Sequence, residues 1–273
     1  MQELTASIAD TARYLQENGI SRPPVFGIVL GTGLNAFLQQ MNILKSFDYT
    51  EVPHFVQATV EFHKGKLVYG LVEGVPVLAM QGRFHYYEGY SLQQITYPVR
   101  VMKALGVQFL LLSNAAGGMN PAYKKGDLVL IEDHINLLPD NPLKGLSDPA
   151  LGPRFTDMSA PYDAGLAQRL RQAAQQEGLE LSTGVYVSVM GPSLETRAEY
   201  RWLRGMGADM VGMSTVPEVI VANQVGLPCA AVSVITDECD PDHLQPVNID
   251  EIIEVAGRAD KKLSGVFLRA IAG

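Results

Sequence analysis

The chain has 273 residues, 47% of them hydrophobic and 18% charged, and carries a net charge of −8 at pH 7. Such a chain can bury a large core and fits one α/β domain or two small ones. Its acidic balance excludes a broad nucleic-acid surface, which needs clustered Lys and Arg, and no apolar run approaches the roughly 20 residues of a membrane helix.

The N-terminal stretch places Leu4, Ile8, Ala12 and Leu15 at helical spacing. It has no basic segment leading into an apolar one, so it reads as an amphipathic helix and not as a signal peptide. Residues 25–30 form an apolar run that enters GTGLNAF, a glycine turn leading into a helix. Gly31, Gly33 and Ala36 satisfy the G-x-G-x-x-G/A dinucleotide pattern. That pattern requires a second strand ending in an acidic residue about 20 positions on. Asp48 and Glu51 fall near the distance, but no clean strand precedes them. The favoured reading is a phosphate-binding turn with Thr32 as hydroxyl donor.

Residues 67–71 and 75–80 are two β runs joined by Glu73-Gly74, a hairpin signal, and they empty into QGRFHYYEGYS. A packing account makes this a surface turn with an Arg–Glu pair and half-buried tyrosines. The chemical account gives Arg83 a forked donor set for phosphate, with His85 beside it and Tyr87 as a flat wall for a sugar. Ser91 caps a helix running to about residue 104. Residues 109–112 form an apolar strand, with Asn114 and Ala115 expected at its carboxyl end, where small residues admit a ligand.

Gly126-Asp127 opens a strand containing His134, which reads as a satisfied histidine beside the core. Residues 139–162 form a long loop without periodicity, and Phe155 in it is a candidate aromatic for a neighbouring subunit's pocket. A helix over 166–177 and a strand over 185–189 lead into GPSLETRAEYRWLRGMGADMVGMSTVPEVIVAN. There Thr196 with Glu199, and Thr215 with Glu218, match the capping-box pattern, and Pro217 suits a first helical turn. Glu195, Met213 and Ser214 fall at element ends, where α/β proteins keep their chemistry. A buried strand over 229–235 follows, then TDECDPDHLQPVN, and Asn248 with Glu251 caps a long C-terminal helix.

Strands and helices alternate along the whole chain, which predicts one continuous α/β domain over 1–273. Cys229 and Cys239 are too few for a disulfide framework, so a reducing, cytoplasmic setting is expected. The five histidines lack zinc spacing, and no P-loop or nucleophile elbow occurs. Neither a metal nor a covalent nucleophile is indicated, and no cofactor is expected.

GTGL, HKGKLVYG, GRFHYYEGY, NAAGG, GDLVLIEDHINL, GPSLET and GMSTVPEV occur in this order over nearly the whole chain. Together they resemble the trimeric purine nucleoside phosphorylases. The resemblance implies an α/β sandwich around a twisted mixed sheet flanked by helices, and a homotrimer with each pocket near a subunit boundary. It implies cleavage of purine nucleosides by inorganic phosphate, a co-substrate. Thr32, His63, Arg83, His85, Asn114, Ala115 and Ser214 are expected at the phosphate. Tyr87, Met213, Ile249 and a neighbour's Phe155 are expected at the ribose. Ala115, Leu194, Glu195, Val211, Thr236 and Asp237 are expected at the base, and the catalytic part falls to His85, Glu195 and Asp237.

Two positions depart from the 6-oxopurine pattern, which has Asn and His where this chain has Asp237 and Ile249. An ionised Asp accepts and suits a 6-amino group, whereas a protonated one donates to N7. Both changes resemble the methylthioadenosine phosphorylases, while Glu195 and GMSTVPE match the enzymes that act on inosine and guanosine. The adenine-directed reading therefore stands as the alternative. A nucleoside-binding module without turnover is the non-enzymatic one, and Arg83, His85, Asn114 and Ser214 argue against it.

Overall fold

The computed structural model describes all residues except 1, 32–35, 58 and 60–64. Thr32 and His63 therefore lie outside the described residues. The described strands are β1 (Phe26–Leu30), β2 (Asn42–Asp48), β3 (Lys66–Val72), β4 (Val75–Gln81), β5 (Phe109–Gly118), β6 (Leu128–Asn136), β7 (Ser182–Ser188), β8 (Met210–Gly212) and β9 (Cys229–Glu238). The helices are α1 (Gln2–Glu17), α2 (Ala36–Gln39), α3 (Leu92–Ala104), α4 (Ala164–Gln176), α5 (Arg197–Gly205), α6 (Val216–Gln224) and α7 (Ile249–Ala272).

The strands form one mixed sheet in the order β2-β3-β4-β1-β5-β8-β7-β6-β9. Strand β9 also pairs with β5, so β5, β8, β7, β6 and β9 close on themselves. Alternation along the central strands sends Val29, Leu78, Leu110 and Leu112 to one face, where they join the buried residues of α1, α3 and α6. Ile28, Leu30, Ala79 and Leu111 face the other side and join α2, α4 and α7. Helix α5 packs a third, smaller cluster in which Tyr200 and Leu203 meet Met119, Val187, Val211 and Cys239.

Several expectations hold at the level of single residues. Ser91 and Gln94 make the capping box of α3, and Thr196 and Glu199 that of α5. Glu73 and Gly74 turn the β3–β4 hairpin, both at positive φ. His134 sits against Tyr162, its Nδ1 3.1 Å from the phenolic oxygen.

Others are corrected. A strand does precede Asp48: β2 pairs antiparallel with β3 at the sheet edge, and its side chains are exposed at every position but Phe47. It is not the second parallel strand of a dinucleotide fold, since β1 lies between β4 and β5, and Asp48 pairs with Lys66. Strand β5 does not end before Asn114 but continues through Gly118, because β9 pairs with it along its whole length. Thr215 and Glu218 make no capping box: Thr215 caps without its side chain, at φ 68°, and Glu218 turns to Arg83. Asn248 does cap α7, but Glu251 reaches Lys125 instead of closing a box.

Candidate active site

The site forms where β1 stops and β5 runs on. Along its first half β5 is held between β1 and β9, and at Gly117 and Gly118 β8 takes β1's place. The change of partner opens a cleft at the carboxyl end of a parallel pair, the usual place for a ligand in an open α/β sheet. Gly31 permits the close approach, since a Cβ there would lie 2.8 Å from both the Asn114 Cα and the Ser113 carbonyl oxygen. The Gly31 N–H donates to Ser113 Oγ at 3.2 Å.

The cleft is open to solvent, and the space within it, open solvent included, is about 700 Å³. Arg83, His85, Tyr87, Asn114, Ala115, Leu194, Glu195, Val211, Met213, Ser214, Thr236 and Asp237 all line it. These residues come from separate parts of the chain, and the fold brings them to one place. Ile249 does not join them. It is 52% exposed at the start of α7, and Ile252, one turn on, lines the cleft instead. Phe155 is 90% exposed and lies beside His134 and Asn141, away from its own chain's cleft.

At one end of the cleft the polar groups are held by partners the motifs do not reveal. Arg83 is buried, and its Nε and Nη2 reach the same oxygen of Glu218 at 3.1 and 3.0 Å. Its Nη1 donates to the Ser113 carbonyl at 2.7 Å. His85 stacks on Tyr87 with ring centroids 4.7 Å apart, and its Nδ1 lies 3.0 Å from Glu88 Oε1. Burial lowers the His85 pKa, and the hydrogen bond to Glu88 offsets only part of that. The lowered value favours the neutral imidazole near pH 7, with Nδ1 turned to Glu88. Burial also pushes the Glu88 carboxyl up, but donors from His85 and Thr59 outweigh it and bring it down to about 2.

Asn114 gives an Nδ2 proton to Thr215 Oγ1 at 2.8 Å. Its Oδ1 has no protein partner among the described residues. The left-handed backbone of Thr215 is a strained conformation for a β-branched residue, costing on the order of 1–3 kcal/mol. It swings Ser214 onto the N-terminus of α6, where the Ser214 N–H meets the Tyr186 hydroxyl at 3.3 Å.

At the other end stand two carboxylates. Burial raises the Glu195 pKa, and the charge of Asp237 adds to the rise. Asp237 accepts from the Thr236 hydroxyl at 2.8 Å and from the Cys239 thiol at 3.0 Å. Glu88 and Tyr200 were not singled out in the sequence, Glu218 was read only as part of a helix cap and Cys239 only as a free thiol. Glu88 carried a signal of its own, three residues after His85 inside the aromatic turn.

Residues 25–272 match the sequence profile of the phosphorylase superfamily. The chain is 45% identical to purine nucleoside phosphorylase 1 of Bacillus subtilis (strain 168), over 97% of this chain and 96% of that one. The chain belongs to the phosphorylase superfamily, among the purine nucleoside phosphorylases. The bovine (Bos taurus) purine nucleoside phosphorylase is 44% identical, with 93% of this chain and 90% of that one covered. Solved structures agree. A schistosoma purine nucleoside phosphorylase in complex with hypoxanthine superposes with a TM-score of 0.91 at 38% identity, covering 97% of this chain and 96% of that one. The Schistosoma mansoni purine nucleoside phosphorylase in complex with adenosine gives the same TM-score, identity and coverage.

Proposed function

We infer that this chain is a phosphate-dependent purine nucleoside phosphorylase, which splits a purine nucleoside into the free base and a sugar 1-phosphate. The observation that carries the reading is one cleft with cationic and hydroxyl groups at one end and hydrogen-bonding carboxylates at the other. Phosphate binds among Arg83, His85, Ala115, Asn114 and Ser214, at the N-terminus of α6, where the helix dipole favours an anion.

The reaction breaks the C1′–N9 bond, whose electron pair leaves with the base, while a phosphate oxygen bonds to C1′. Positive charge builds on the sugar and negative charge on the base. The bound anion stabilises the first, and a proton or donor at N7 or O6 stabilises the second. Neutral His85 stands beside the phosphate and the sugar. Tyr87 and Met213 flank the ribose, and Leu194, Val211 and Thr236 line the base. Glu195 takes the N1–H of a 6-oxopurine, and Asp237 faces the six-membered edge and N7. No cofactor takes part.

Inosine and guanosine are the leading substrates. One observation favours a second reading toward adenosine or methylthioadenosine: both Asp237 oxygens already receive donors from the protein, so the carboxylate is set up to accept from a 6-amino group. Exposed Phe155 supports a homotrimer in which it reaches a neighbour's ribose site. Free Cys229 and Cys239 suit a reducing cytoplasm, no described helix is long and apolar enough to cross a membrane, and the continuous sheet suits a single domain over 1–273. The test is base release from inosine, guanosine and adenosine with and without phosphate. Release from at least one, dependent on phosphate, is expected. Equal release without phosphate would overturn the reading.

A further inference from the structure

The loop that carries Phe155 is fastened to α3 and α6 through two buried side chains that the mechanism leaves unused. On α3, Arg100 is buried, and its Nη2 donates to Gln224 Oε1 at 2.6 Å. Gln224, the last residue of α6, is buried too, and its Nε2 donates to the Pro153 carbonyl at 3.4 Å. The same carbonyl accepts from the Thr156 hydroxyl at 3.4 Å, so residues 153–156 close around Phe155, which stands 90% exposed. Gly152 lets the loop come this near: a Cβ there would strike the Gln224 carbonyl oxygen and lie 2.9 Å from its Cγ. Farther back, α3 and α1 hold the loop through Gln93 on the Lys144 carbonyl and Thr5 on Asp148, both at 2.9 Å.

We propose that Gln224 and Arg100 are positioning residues, fixing where Phe155 leaves its own subunit for the neighbour's ribose site. The direction of each bond follows from the groups themselves. A guanidinium only donates, so Gln224 turns its oxygen to Arg100. A carbonyl only accepts, so the amide nitrogen meets Pro153. An amide serves both at once, whereas a carboxylate would accept from Arg100 and have no proton for Pro153. Arg100 is a costly group to keep here: burial draws its pKa down to about 10, and its Nη1 has no partner among the described residues. A cation buried against a neutral amide costs stability, so its place is explained by what it aims the amide at. This assignment rests on the trimeric reading of Phe155 above.

The experiment measures KM for inosine or adenosine, whichever the wild type cleaves faster, and KM for phosphate, in Gln224→Glu, Phe155→Ala and the double variant. Gln224→Glu should raise the nucleoside KM about three- to tenfold, the effect of one lost hydrogen bond, and leave the phosphate KM within about twofold of wild type. Phe155→Ala should raise the nucleoside KM at least as much. In the double variant the two effects should not multiply: the nucleoside KM should lie within about twofold of that of Phe155→Ala, because Gln224 acts through Phe155. Arg100→Met, which frees the amide to turn, should repeat the pattern more weakly, alone and combined with Phe155→Ala, and it carries the test if Gln224→Glu does not fold. An unchanged nucleoside KM in whichever of these variants folds, an equal rise in the phosphate KM, or effects that multiply with Phe155→Ala overturns the positioning role and leaves the phosphorylase reading intact. A wild-type nucleoside KM in Phe155→Ala overturns the reading of Phe155 at the neighbour's site, and this role with it.

Discussion

Replacing Glu218 by glutamine separates two accounts of that residue. As the third residue of a capping box it would tolerate the change, since glutamine serves there as well as glutamate. As the buried partner of Arg83 it would not. Both side chains are nearly inaccessible, 2% and 4% exposed, and the guanidinium meets one carboxylate oxygen through two nitrogens. Removing one charge of a buried pair leaves the other uncompensated, at a cost of about 3 kcal/mol or more. For a chain of this size that is a fall in Tm of roughly 6–12 °C. Phosphate should restore part of the loss, because an anion at the cleft compensates Arg83, so its stabilising effect should be larger in Glu218→Gln than in the wild type. Thermal unfolding of both proteins with and without phosphate measures this. A Tm within about 2 °C of wild type in phosphate-free buffer would refute the buried-pair account.

Three further outcomes follow from the same geometry. Asp237→Asn exchanges an acceptor for an amide that can donate to N7 or O6, so kcat/KM for inosine should rise relative to adenosine; an unchanged ratio removes Asp237 from base selection. Glu88→Gln should be less stable than the wild type at neutral pH. Because the folded Glu88 value of about 2 lies below the ordinary 4.5, the difference is fully present above about pH 4.5 and shrinks as pH falls toward 2; a pH-independent difference in urea unfolding would contradict this. Gly31→Ala should force β1 and β5 apart at Asn114 and lower stability by about 1–3 kcal/mol, read from the urea midpoint, and a neutral effect would show that the approach is not tight.

The legible parts were those in which a local pattern settles a local structure. The cap at Ser91, the capping box at Thr196, the Glu73-Gly74 hairpin and the alternation of buried strands with amphipathic helices need only neighbouring residues. The motif resemblance brought the cleft residues together because each motif stands at an element end. What could not be read depends on partners far along the chain. Arg83 lies 135 residues from Glu218, and Asn114 lies 101 residues from Thr215. Thr215 and Glu218 carry the letters of a capping box, but burial and the ion pair override the local preference. Strand β2 was hidden because an exposed edge strand shows no burial pattern, and β5 because pairing with β9, not its own residues, carries it through NAAGG. Ile249 was assigned by motif position, and the path of the chain into α7 puts Ile252 at the cleft instead.

The claim on which the rest depends is that one cleft holds an anion against the sugar while the base departs. Phosphorus NMR of the enzyme with inosine and inorganic phosphate tests it most directly. The account predicts that the inorganic phosphate signal declines as a sugar 1-phosphate signal grows, in step with hypoxanthine release. Hypoxanthine released while the phosphate signal stays constant and free ribose accumulates would contradict it.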